Sequence, residues 1–155
     1  MPVLRGAWNG EQEAFNLATI QITWPEPDIN EMVTTYSVFI LNRDNVFLEN
    51  KKLCDGSDQV VVDSRLCRIP MSMFWSGNWK LDQGQIITVK VVANNARGQG
   101  EMSVWNIEGA RVEKLPHLMN PPYGSLDEKT GEITLSWSAL VAPRNGGTEI
   151  TSYHV

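Results

Sequence analysis

An all-β protein is predicted for these 155 residues by three features of the sequence: short alternating apolar blocks, turn residues between them at sandwich-like spacing, and no helical periodicity sustained over three turns. The composition, 42% hydrophobic and 20% charged, is that of a folded protein and excludes a disordered tail. A chain of this length buries one good core and part of a second.

The first block, residues 17–24, places Leu17, Thr19, Gln21 and Thr23 on one face and Ala18, Ile20, Ile22 and Trp24 on the other, which is expected to be buried. Pro25 and Pro27 end that strand, because proline cannot donate to a ladder. Residues 35–41 form a second strand that is largely apolar on both sides, Tyr36, Val38 and Ile40 against Ser37, Phe39 and Leu41. Such a strand belongs in the middle of a sheet or carries a covered outer face. A β-branched run over 86–93, with Ile87, Val89 and Val91 on one face, leads into a turn at 94–98, and residues 101–107 return as the last strand of a hairpin. Between these blocks, 71–80 holds Met73, Phe74, Trp75 and Trp79, read as a satellite core under a long connection, with a binding patch as the alternative.

Leu115-Pro116 and Asn120-Pro121-Pro122 break the pattern and favour extended backbone, the mark of a linker. Alternation resumes over 131–137 with Ile133, Leu135 and Trp137 on one face, and a further strand starts at 150–155.

The net charge of −5, with no basic run longer than Lys51-Lys52, argues against nucleic acid as a partner. No stretch approaches the ~20 apolar residues of a membrane span, so no membrane insertion is expected in this segment. Cys54 and Cys67 bracket a polar stretch containing the strand-like run Val60-Val61-Val62. The pair is read as a disulfide stapling that loop in an oxidising compartment, with two buried free thiols as the alternative. Zinc is disfavoured, since His117 and His154 are remote in sequence.

An internal repeat carries the most information. Residues 18–40 and 131–155 each hold an alternating strand ending in Trp, a proline-containing turn, and a strand in which Tyr is flanked by Thr or Ser and followed by Val at the second position. This pattern resembles fibronectin type III modules, with Trp24 and Trp137 matching the core tryptophan and Tyr36 and Tyr153 the tyrosine of the next strand. Residues 83–103 resemble the later hairpin of the same family. The resemblance implies an immunoglobulin-like β-sandwich over 1–113, a proline-containing linker over 114–122, and the N-terminal part of a second sandwich over 123–155. With only its first strands, that second module should leave Leu135 and Trp137 exposed, and the chain is expected to belong to a longer polypeptide. Two departures stand out: Ile87 replaces the family's corner tyrosine, and the connection carrying Trp75 and Trp79 is unusually long. With the cysteine-bearing segment 53–70, the chain resembles the variant found in long repetitive surface proteins of ciliated protists.

Neither a Ser-His-Asp or Cys-His set nor a glycine-rich phosphate loop occurs, so no catalytic residues and no cofactor are expected. Asp55 and Asp58 are weak calcium candidates, with a solvated turn as the preferred reading. The expected function is a structural or adhesive module at the cell exterior, binding other protein chains or further modules through exposed loops. Asn94, Asn95, Arg97, Trp75 and Trp79 are the candidate binding residues. An intracellular ciliary or filament scaffold, and an accessory domain of a larger enzyme, are the alternatives.

Overall fold

Alternation of β-branched and aromatic residues fixes the strands of the computed structural model, which describes residues 3–7 as backbone, 19–28 and 32–154. Leu17, Ala18 and Val155 lie outside the described residues. The chain divides into two compact units, 1–112 and 113–155.

In the first unit, β1 (Val3–Ala7), β2 (Thr19–Thr23) and β5 (Leu66–Pro70) form one antiparallel sheet in the order β1-β2-β5. β4 (Phe47–Glu49), β3 (Thr35–Leu41), β6 (Val89–Asn95) and β7 (Gly98–Met102) form the other, in the order β4-β3-β6-β7. The inward faces of the two sheets share one core: Ile20, Ile22 and Trp24 from the first, with Cys67 and Ile69, and Tyr36, Val38, Ile40, Val89 and Val91 from the second. The unit is therefore an all-β sandwich whose central strands bury the residues that alternation assigns to the inside.

Four expectations are corrected. The run Val60-Val61-Val62 is not a strand but the body of a short helix, α1 (Gln59–Ser64). Asp58 caps it by accepting the Val60 N–H at 2.9 Å, and Arg65 closes it in the left-handed conformation at φ 51°. The turn placed at 94–98 shrinks to Ala96-Arg97, because Asn94 and Asn95 are strand residues paired with Gln99 and Gly98. The last strand ends at Met102 rather than Ile107. Beyond it, side chains replace a backbone ladder: the Val91 N–H donates to Ser103 Oγ at 3.0 Å and the Val89 N–H to Asn106 Oδ1 at 2.7 Å. Finally, residues 150–154 form no strand. Their counterpart β3 is held by β4 and β6, and nothing equivalent lies beside 150–154 among the described residues.

The second unit is built on one hairpin, β8 (Tyr123–Leu126) with β9 (Ile133–Ser136), whose turn is fixed by the Asp127 carboxylate accepting the Lys129 N–H at 2.8 Å. That acceptor role holds the Asp127 carboxyl below its ordinary value. Residues read as a linker take part in this unit: the Lys114 N–H donates to Gly146 O at 2.8 Å and the His117 N–H to Arg144 O at 2.9 Å. Gly146 has φ +83°, and a Cβ there would overlap the Lys114 carbonyl, so only glycine fits.

Candidate functional site

The register of β3 against β6 sets which loops meet. Thr35 opposes Asn94, so the start of β3 and the hairpin tip share one end of the sandwich. There the Asn94 side-chain amide donates to Thr35 Oγ1 at 3.2 Å, and the Arg97 N–H donates to Asn95 Oδ1 at 2.9 Å, which shapes the turn. Beside it lies an open depression of about 510 Å3, lined by Pro27, Ala93, Asn95, Arg97 and residues 98–101.

The connection 50–65 crosses the same end. Its Gly56 carbonyl accepts the Tyr36 N–H at 2.8 Å and its Arg65 carbonyl accepts the Trp24 N–H at 3.2 Å, so it spans both sheets above the Trp24–Tyr36 pair. Those rings meet edge to face at 5.2 Å. Burial raises the Tyr36 phenol above its ordinary value, opposed by the nearby Arg65 charge. A Cβ on Gly56 would run into the Tyr36 carbonyl, which explains glycine at this crossing. Cys54 and Cys67 form a disulfide, Cα–Cα 5.5 Å, that ties the connection to β5.

Trp75 and Trp79 lie elsewhere. The Arg43 N–H, just past the end of β3, donates to the Trp79 carbonyl at 2.9 Å, which sets this segment at the end of the sheet away from Asn94 and Arg97. Trp79 is buried and stacks on Phe74 with centroids 5.2 Å apart, so its ring fills the sandwich end and is not on offer to a ligand. Trp75, at the close of the helical turn α2 (Ser72–Trp75), is half-buried against the same core. The structure therefore splits the candidate binding residues into a hairpin group and a plug.

Asp55 accepts both the Ser57 hydroxyl at 2.7 Å and the Ser57 N–H at 3.0 Å, which hold its carboxyl below the ordinary value. Asp58 is occupied as the α1 cap. Among the described residues, no group of three or more His, Cys, Asp or Glu side chains comes together to hold a metal ion.

Two features had no expectation in the sequence. On the outer face of the four-stranded sheet, the Lys90 ammonium lies 4.5 Å from the Phe47 ring centroid and 4.7 Å from that of Trp105, a cation–π clasp across residues far apart in sequence. Leu41 opposes Phe47 and Phe39 opposes Lys90, so this face is apolar with one charge at its centre. The apolar outward side of 35–41 was the available signal.

The second feature is Asn106, buried, which also donates through Nδ2 to Ile87 O at 2.9 Å and Glu108 O at 3.0 Å. It secures the corner where Ile87 stands in place of the tyrosine. Asn106→Ala is expected to cost about 2 kcal/mol, because the buried Val89 N–H and Ile87 carbonyl lose their partner. The urea midpoint of the full chain reads this directly, and a shift under about 0.5 kcal/mol would reassign the corner to other bonds.

The chain matches no protein-family model, no curated protein and no solved structure. Among the described residues, no helix is long and apolar enough to cross a membrane.

Proposed function

We propose that this chain is a non-catalytic structural or adhesive segment of fibronectin type III-like modules working outside the cell, where it binds other protein chains or further modules. The observation that carries the reading is the recurrence of one aromatic pair. Trp24 and Tyr36 meet at 5.2 Å in the first unit, and Trp137 and Tyr153 meet at 5.7 Å in the second. A repeated unit with a repeated core contact is what a tandem array requires.

The Cys54–Cys67 bond supports the exterior compartment, since closed structural disulfides persist where glutathione does not reduce them. The hairpin end offers the binding surface. Asn95 and Arg97 sit at its tip beside the open depression, and the strands behind them hold the loop rigidly.

The test is the intact mass of protein from its native source after thiol alkylation, with and without prior reduction. Alkylation of Cys54 and Cys67 only after reduction is the expected result. Two alkylated thiols without reductant would overturn the exterior assignment and favour an intracellular scaffold.

A further inference from the structure

The two units can be aligned through their strand pairing. In the first, Leu4 opposes Ile22 and Gly6 opposes Ile20; in the second, Gly124 opposes Leu135 and Leu126 opposes Ile133. Ile133, Leu135 and Trp137 thus stand where Ile20, Ile22 and Trp24 stand. Their exposure differs sharply: 72%, 46% and 38% against 1%, 0% and 7%. In the first unit this side faces the sheet that carries Val38, Ile40, Val89 and Val91. In the second, the only aromatic contact recorded for it is Tyr153 against Trp137.

We infer that the face formed by Leu126, Ile133, Leu135 and Trp137 closes on the same face of a second copy of this chain. Directly opposed residues of an antiparallel pair share a face, so this surface carries no charged side chain. The charges of the hairpin, Asp127, Glu128, Lys129 and Glu132, gather at its turn instead. An uncharged face meets its own copy without like-charge repulsion, and a twofold pairing needs no second complementary surface. A two-stranded sheet is marginal alone, whereas two such sheets packed about 10 Å apart form a four-stranded core. Aliphatic side chains at alternate positions are what cover the equivalent residues in the first unit, and a second copy presents them. This inference rests on the pairing register and exposure alone, and stands apart from the compartment and family proposed above.

Sedimentation velocity of the full oxidised chain, from low micromolar to several hundred micromolar, is the test. A reversible dimer is expected. Leu135→Glu should weaken it by about 100-fold or more, because each copy would then bury an unpaired carboxylate. Thr134→Glu, on the other side of β9, should change it by less than about threefold. Hydrogen exchange of the unmodified chain gives a readout free of any folding defect: protection at residues 133–137 should rise with concentration. A chain that stays monomeric, a dimer indifferent to Leu135→Glu, or concentration-independent exchange at 133–137 would each overturn the inference. The cysteine test can fail without moving any of these results.

Discussion

Trp79→Ala is expected to cost the first unit about 3–5 kcal/mol, the range for deleting a large buried aromatic. For a unit of 112 residues, that lowers the melting temperature by roughly 15–25 °C. The ring is 2% exposed and lies nearly parallel to Phe74, with an interplanar angle of 21°. Its loss opens a hole beneath a connection that has no other aromatic to move in, since Phe74 is itself fully buried. Two companion variants separate shape from chemistry. The Trp79 indole N–H has no hydrogen-bond partner among the described residues, so Trp79→Phe keeps a ring, removes an unsatisfied donor, and should cost less than about 1.5 kcal/mol. Trp75→Ala removes a ring that is only half-buried and should cost about 1–2 kcal/mol. Urea denaturation followed by far-ultraviolet circular dichroism ranks the three. If Trp79→Ala instead leaves the midpoint unchanged, the ring is not a core element, and its reading as a binding residue returns.

The same residue shows what a sequence can and cannot say. Trp79 and Trp75 are four positions apart in an irregular segment, where no period assigns one ring inward and the other half outward. By contrast, β3 was legible to its boundaries, because strict alternation over Thr35–Leu41 coincides with burial of Tyr36, Val38 and Ile40. The valine run at 60–62 misled because β-branched composition suggests a strand, while the decisive signals are local: the Asp58 cap, the Gln59–Asp63 side-chain bond at 2.7 Å, and the left-handed Arg65. Residues 150–154 misled for the opposite reason. Their pattern is that of a strand, but a strand exists only through its neighbours. Asn106 and the Lys90 clasp were invisible because their roles depend on where the chain leaves a sheet and on three residues, 47, 90 and 105, that only the fold brings together. Of the candidate site, the hairpin tip was read from its turn residues. Its separation from Trp75 and Trp79 follows from register, which sequence does not display.

Opening the Cys54–Cys67 bond is expected to cost the first unit about 3 kcal/mol, mostly by freeing the unfolded chain, since the bond closes a loop of sequence separation 13. The midpoint in urea should fall, and the slope should steepen because the reduced unfolded chain exposes more surface. The native state also contributes. Cys67 pairs in register with Ile22 at the centre of the inner face, and the loop it anchors carries the Gly56 carbonyl that satisfies Tyr36. Releasing the loop loosens the cover over the Trp24–Tyr36 pair, so the amide protons of Tyr36 and Trp24 should exchange faster before the sheets themselves open. Cys54→Ala with Cys67→Ala is the suitable variant, because a serine at 67 would add an unpartnered hydroxyl to the apolar interior. Both sulfurs belong to buried residues, so alkylation of reduced protein should be slow until denaturant is added. A double variant with unchanged midpoint and unchanged exchange at Tyr36 would mean that the helix cap and the Gly56 bond hold the connection without the staple. An unchanged midpoint with faster exchange at Tyr36 would place its effect on local opening alone.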